Sequence, residues 1–417
     1  MNILEYRDHS HQETDWTDAF KAALATLRQT GGTLTVPPGL YRTRSIQLYS
    51  NINLHIEAGA TLFFLDDPAK YELVDTEFEG IPGKAYMPCI FAENAVNVSL
   101  TGRGTLDGNG ANWWKLFREQ ALPHARPYLV CFQYCERVLV EGVRLINSPV
   151  WTVHPLYCRN VSIRGISIVN PADSPNTDGI NPDGSSHVRI TDCYIDVGDD
   201  CIAIKSGTED TPVKTPCENI VISGCTMAHG HGGVVIGSEM SGGVRNVVIT
   251  GCVFQHTDRG IRVKTRRGRG GVVENLLISN ILMDDVMCPF VFNMHYFCGK
   301  GGKEKRVWDR APYPVDETTP VLRDIRIHQV TVTNATASAG FMVGLAERPV
   351  ERVSLSDITV AMIPGTPGMP AMLDGISEME AAGFHLRNAV DVTFRHVRIV
   401  GALGPAVDHD SSVTWRE

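Results

Sequence analysis

The 417-residue chain is 43% hydrophobic and 20% charged, the balance of a well-buried globular protein rather than a disordered one. Its formal charge of −9 excludes nucleic acid as a main partner, because phosphate binding rests on a basic surface. No stretch is apolar for long enough to cross a membrane, and "MNILEYRDHSHQETDW" lacks the basic and apolar regions of a secretion signal, so the expectation is a cytoplasmic protein with no membrane partner.

The first element reads as a helix over about 14–31, with Trp16, Phe20, Leu24 and Leu27 on one face, Thr14 or Asp15 as N-cap and Gly31-Gly32 at its end. It is expected to cover the open end of a stack of strands. From "GGTLTVPPGLYRTRS" onward the chain shows short strands of period-two alternation. The stretch 63–88, "FFLDDPAKYELVDTEFEGIPGKAYMP", is expected to wall one end of any groove.

A short apolar phrase then returns along the chain. It reads "RVLVEGVRLI" from Arg137, "NVSIRGISIV" from Asn160, "HVRITDCYID" from His187, "NIVISGCTMA" from Asn219, "NVVITGCVFQ" from Asn246 and "NLLISNILMD" from Asn275, with weaker copies from Asp324, Arg352 and Asp391. Each unit is punctuated by Asn, Asp or Gly and contains no helical pattern, so the units must stack on one another to bury their apolar faces. The fold class expected is all-β, a single-domain parallel β-helix spanning 1–417 behind its capping helix. Stacking puts Cys193, Cys225 and Cys252 in one column with Val143, Ile166 and Ile281, so these thiols read as core. The eleven cysteines, odd in number and without metal-type spacing, give no disulfide framework.

Aligned backward from each phrase, "NTDGINPD" (176–183), "GDDCIAIK" (198–205), "GHGGVVIG" (230–237) and "TDRGIRVK" (257–264) become four rungs in register. Ile202, Ile204, Val234, Ile236, Ile261 and Val263 point inward and their neighbours outward. The outer columns then hold Asp199, His231 and Asp258 on one side and Asp183, Lys205 and Lys264 on the other, with Arg262 beside Asn181. Gly179, Cys201, Ala203, Gly233 and Gly260 are expected to form a floor of small residues between them. Asp178 and Asp200 share a further column. Folding alone gives no reason to gather like charges, which raise one another's pKa, so the cluster does acid and base chemistry or holds a metal. His231 is a poor calcium ligand and Arg262 with Lys264 would repel the ion, so no metal is expected. In the rung before, the same register sets His154 of "NSPVWTVHPLYC" beside Asn181 as a candidate hydrogen-bonding group. The stretch 298–320 lengthens one coil and reads as an inserted loop beside the groove.

In this order "NTDG", "GDD", "GHGG" and the Arg-x-Lys of "GIRVK" resemble the four motifs of glycoside hydrolase family 28, the polygalacturonases and their relatives, most sharply over about 137–297. The resemblance implies a right-handed parallel β-helix, no cofactor and cleavage of a pectin-derived galacturonide. It makes Asp199 the general acid, Asp178 and Asp200 the pair that holds and activates an inverting water, and His231 the group that tunes the acid. Arg262 and Lys264 would bind a sugar carboxylate, and Asn181, Lys205, Arg266 and His295 join them as further substrate-binding candidates, together with His154. Inverting enzymes keep acid and base about 6.5–9.5 Å apart, so a wide pair is expected. Walls at both ends of the groove would favour exo-cleavage of short oligomers. The alternatives are a hydrolase of rhamnogalacturonan or another decorated uronide, a calcium-dependent pectate lyase, and a sugar-binding β-helix without chemistry. Oligomeric state is left open by the sequence.

Overall fold

The computed structural model describes residues 1–9 and 15–417. Its contacts fall into two compact units, Met1–Asp199 and Asp200–Glu417, and each is built from stacked parallel strands. The architecture is a parallel β-helix, mostly β with one N-terminal helix, as the repeats require. No helix among the described residues is long and apolar enough to cross a membrane.

In the first unit the helix runs Thr17–Thr30 and buries Phe20, Leu24 and Leu27 against strands Gly32–Val36 and Ile46–Leu48. It starts later than expected. Trp16 lies just before it, edge-on to Tyr41 at 4.9 Å between ring centres. Thr14 lies outside the described residues, whereas Asp15 accepts hydrogen bonds from the Thr17 N–H at 2.9 Å and hydroxyl at 2.6 Å. At the other end Gly31 adopts φ 69° and its N–H donates to the Leu27 carbonyl, a conformation glycine reaches without steric cost.

The repeated phrase is explained by its backbone. Its first and sixth residues are left-handed in every copy: Arg137 and Gly142, Asn160 and Gly165, His187 and Asp192 in the first unit, then Asn219 and Gly224, Asn246 and Gly251, Asn275 and Asn280 in the second. One such residue bends the chain at the start of the phrase's first strand and the other in the turn that follows it, and Asn, Asp and Gly accept that conformation most readily. Stacked asparagines also bond to one another, Asn246 Nδ2 donating to Asn219 Oδ1 at 3.0 Å and Asn275 Nδ2 to Asn246 Oδ1 at 3.3 Å.

Between these bends the apolar columns form as expected. Leu54, Leu100, Val140, Ile163 and Ile190 pair rung on rung in the first unit. Ile222, Ile249, Ile278, Ile327 and Leu355 do so in the second. All ten are buried. The eleven cysteines are free thiols, and only Cys298 is even half-exposed.

The register makes neighbouring residues energetically unequal. Ile249 faces the core and Val248 faces outward. Ile249→Ala should cost about 2–5 kcal/mol in chemical denaturation, and Val248→Ala no more than about 0.5 kcal/mol; equal losses would contradict the register.

Candidate active site

In the first unit the turn entering the rung 176–183 is fixed before any functional group is placed. Asn170 accepts the Ser148 N–H at 2.8 Å and donates to Thr152 Oγ1 at 2.9 Å and to the Thr177 carbonyl at 3.3 Å. The Thr152 N–H donates to the Asp178 carbonyl at 2.8 Å. The Asp178 carboxylate, 3% exposed, accepts from Asn181 Nδ2 at 2.8 Å. Asp199 is half-buried, and an oxygen of each lies within 4.8 Å of the other. That is closer than the wide pair expected. Each carboxylate sits at the turn entering its own rung, so about one strand spacing separates them, and their separation lends no support to inversion.

His154 pairs beside this rung, through the bridges Val153 to Ile180 and Leu156 to Asp183, but it is wholly buried. Its Nε2 lies 3.5 Å from Asp183 Oδ2, and its ring packs against Tyr128 at 4.5 Å and Trp151 at 5.0 Å. It therefore underlies the polar face instead of presenting itself on it. The stretch 63–88 forms an antiparallel hairpin, Leu73–Phe78 with Ile81–Tyr86, whose Phe78 stacks on Trp151 at 5.6 Å. The expected wall is present on this unit, anchored on the aromatic cluster that buries His154.

The second unit carries the cations. Strand Asp200–Ile204 pairs with Gly232–Gly237, and that strand with Arg259–Lys264, in the register read from sequence. Lys264 Nζ donates to Asp200 Oδ2 at 2.7 Å and Arg262 Nη1 to Oδ1 at 3.3 Å. Burial raises the Asp200 pKa, but Lys264, Arg262 and Lys205 outweigh it and hold the carboxyl at about 2. Lys205 is paired at 2.8 Å with Glu239, which Ser238 Oγ supports at 2.9 Å. Burial opposes the Glu239 charge and Lys205 restores it, well below the usual range. Arg262 Nη2 is buried with no hydrogen-bond partner among the described residues. Tyr296 lies beside both cations, its ring centre 5.8 Å from the Arg262 guanidinium and 5.3 Å from Lys264 Nζ. His231 is exposed, one rung from half-buried Asp258.

The floor of small residues is corrected. A Cβ on Gly233 would lie 2.8 Å from Phe254 ring carbons, and one on Gly260 2.6 Å from Met283 Sδ, so both glycines face the core and are small because those side chains fill it. The glycine turned toward the charged groups is Gly232, whose Cβ would stand 3.2 Å from Asp200 Oδ1.

Arg266 and His295, expected to face substrate, are 0% and 1% exposed and hold the inserted stretch 298–320 in place. Arg266 donates to Glu209 at 2.6 Å and to the Lys300 carbonyl at 2.5 Å. Arg267 donates to the carbonyls of Arg306, Asp309 and Ala311 and forms a bidentate pair with Glu347, while Arg269 pairs with Glu209. His295 places Nδ1 2.8 Å from the Val307 carbonyl and Nε2 3.2 Å from that of Gly344, and burial pushes its pKa down to about 4, so the neutral ring donates to one of these two carbonyls. A second cover escaped the sequence reading. Ala371 and Leu373, in the stretch 363–381, pack on Val291 and Phe341, the residues that come after Arg262 in its column. Asn293, beside Lys264, donates to the Met372 carbonyl at 2.9 Å. Glu209, Glu239 and Glu347 were also missed; the available signal was that a buried cation needs a partner.

With this geometry established, residues 74–368 match the family described as glycosyl hydrolases family 28. The chain is 33% identical over 382 residues to a probable polygalacturonase of Vitis vinifera, covering 88% of this chain and 76% of that protein. A hyperthermoactive exopolygalacturonase of Thermotoga maritima superposes with a TM-score of 0.81 at 32% identity, covering 96% of this chain and 92% of that one. A family 28 exopolygalacturonase of Yersinia enterocolitica shares the fold with a TM-score of 0.77 at 19% identity, over 100% of this chain and 77% of that one.

The Asp200 cluster has a pH signature. Because the folded carboxyl titrates near 2 instead of 3.8, its contribution of about 2 kcal/mol is fully present above the unfolded pKa and is lost as pH falls from about 4 through 2. The stability gap between the native protein and Asp200→Asn, read from urea unfolding, should therefore be constant above about pH 5 and narrow toward pH 2; a gap that widens on acidification would contradict the assignment.

Proposed function

The chain belongs to glycosyl hydrolases family 28 as a polygalacturonase-type hydrolase, and from that premise we propose that it releases galacturonate units from the ends of α-1,4-linked oligogalacturonides with inversion. The observation that carries the exo reading is the pair of covers. In the first unit, the Leu73–Phe78 hairpin strand stands on Trp151 and Tyr128. In the second, Ala371 and Leu373 close the column that begins at Arg262. Each cover shortens the open face of its own unit, which suits a chain end better than the middle of a polymer. The likeness to the exopolygalacturonase of Thermotoga maritima supports the same reading.

The roles follow the family resemblance, and the charges around Asp200 support its part. Asp199 gives its proton to the glycosidic oxygen as the bond to the anomeric carbon breaks. Asp200, held ionised by Lys264 and Arg262, is assigned to orient the attacking water. Asp178 then accepts the water's proton. His231, exposed on its own rung, is given the role of tuning the acid that the family resemblance implies. Arg262 and Lys264 carry positive charge for a sugar carboxylate, a pairing strengthened where water is excluded. Asn181 and Lys205 act through their neighbours, Asp178 and Glu239.

The test is a time course on trigalacturonate with calcium and, in parallel, with excess chelator, tracking reducing ends, ultraviolet absorbance and product anomer by NMR. Monomer release with inverted configuration and no new absorbance is expected, and Asp199→Asn should lower kcat by about 10²–10⁴-fold. Absorbance that rises and is abolished by chelator would instead identify a calcium-dependent lyase. Inertness toward trigalacturonate together with cleavage of rhamnogalacturonan would move the substrate to a decorated uronide.

A further inference from the structure

We infer that Arg126 is a positioning residue for the reaction, holding the turn that delivers Asp178; this rests on the proposed role of Asp178 as the base. Arg126 belongs to no coil. It lies in the excursion that begins with the helix Ala111–Arg118 and continues through 119–127, leaving the β-helix and returning to it at strand Val130–Gln133. Three contacts tie that excursion to the turns preceding Asp178. Trp114 Nε1 donates to the Ser148 carbonyl at 3.0 Å. Arg118 Nη2 donates to the Asp173 carbonyl at 2.6 Å. Arg126 closes the set, with Nη1 donating to the carbonyls of Pro149 at 2.9 Å and Pro175 at 2.8 Å, and Nη2 to Asn176 Oδ1 at 2.7 Å.

The geometry points to a clamp. Pro149 lies in the turn before one rung and Pro175 in the turn before the next, so a single guanidinium sets their spacing. Its third bond reaches Asn176, whose backbone is left-handed at φ 54° and which stands two residues before Asp178. The guanidinium is 2% exposed and lies 3.9 Å over the Phe117 ring, so its orientation is fixed from behind. Prolines donate no N–H, so the Pro149 and Pro175 carbonyls are the available handles on these turns. A planar fork satisfies three acceptors at once, and a lysine ammonium reaching from the same place does not reproduce that geometry.

The group also carries charge. Burial pushes the Arg126 pKa down to about 10, and the charged groups acting on it are Glu79, Arg118 and Asp178. It remains a cation at any pH where the enzyme would work.

The experiment compares the native protein with Arg126→Ala, Arg126→Lys and Asp178→Asn on trigalacturonate, measuring kcat, KM and thermal midpoint for each. Arg126→Ala is expected to lose about 10- to 100-fold in kcat with KM little changed, and guanidinium at sub-denaturing concentration should restore part of that loss. Arg126→Lys is expected to fall between the two and to gain nothing from guanidinium. Native-like kcat in a folded Arg126→Ala protein would overturn the inference. So would a loss in which KM and thermal midpoint shift together and guanidinium restores nothing, because that is the signature of a merely structural arginine. Failure of the parent reading looks different: Asp178→Asn would then keep the native rate. An inert Asp178→Asn beside a fully active Arg126→Ala would reject the role of Arg126 alone.

Discussion

A stack of parallel strands leaves each residue no choice of neighbour: the rungs above and below present their equivalents about 4.8 Å away. Every other feature of this protein answers that constraint. Apolar residues satisfy it at no cost, which is how Leu54 to Ile190 and Ile222 to Leu355 become continuous columns. The bends satisfy it with residues that accept a left-handed backbone and, where they are asparagine, bond to their own kind. Charged residues cannot satisfy it with their own kind. A column of like charges must be answered from the side.

That sideways answer is visible wherever a cation is buried in the second unit. Lys264 and Arg262 share Asp200, Lys205 takes Glu239, Arg267 takes Glu347, and Arg266 and Arg269 share Glu209. Removing the carboxylate of any such pair would leave an uncompensated buried cation, which costs several kcal/mol. The pairs differ in what surrounds them. Those of Arg266 and Arg267 are joined by backbone carbonyls of the insertion and fasten it down. Those of Asp200 and Lys205 sit on the rungs, where ionised groups of both signs lie side by side in a dry setting.

The sequence made the rungs legible because period and register are one-dimensional facts. The pairing of Asp200 with Gly232 and of Val235 with Arg262 needed only the spacing between phrases. It did not make side-chain direction legible where the strand bends. Gly233 and Gly260 were assigned outward by simple alternation, yet they face Phe254 and Met283, at positions where the rung pairing is interrupted. Nor did it tell a cation aimed at solvent from one clamping a loop. Arg266 lies two positions after Lys264, so alternation gives both the same face; its partners, Glu209 and the Lys300 carbonyl, lie in segments whose fold no period encodes. The stretch 363–381 carries no repeat phrase at all, so its packing on Val291 and Phe341 left no trace in the alignment.

The insertions and the rung charges are parts of one arrangement. An ion pair such as Asp200 with Lys264 is strong only where water is scarce, since the same separation is worth several times less in a high dielectric. Neither partner keeps water out by itself. In the second unit that task falls to Tyr296 beside the cations, to the Met372 carbonyl that occupies Asn293, and to the insertion held against His295 through Val307. These covers also set how far a ligand could extend along the face. Under the proposed exo reading, the residues that keep the pair dry are also the ones that shorten the face open to a ligand. Removing the second unit's cover would admit water and weaken the electrostatics that hold Asp200 ionised.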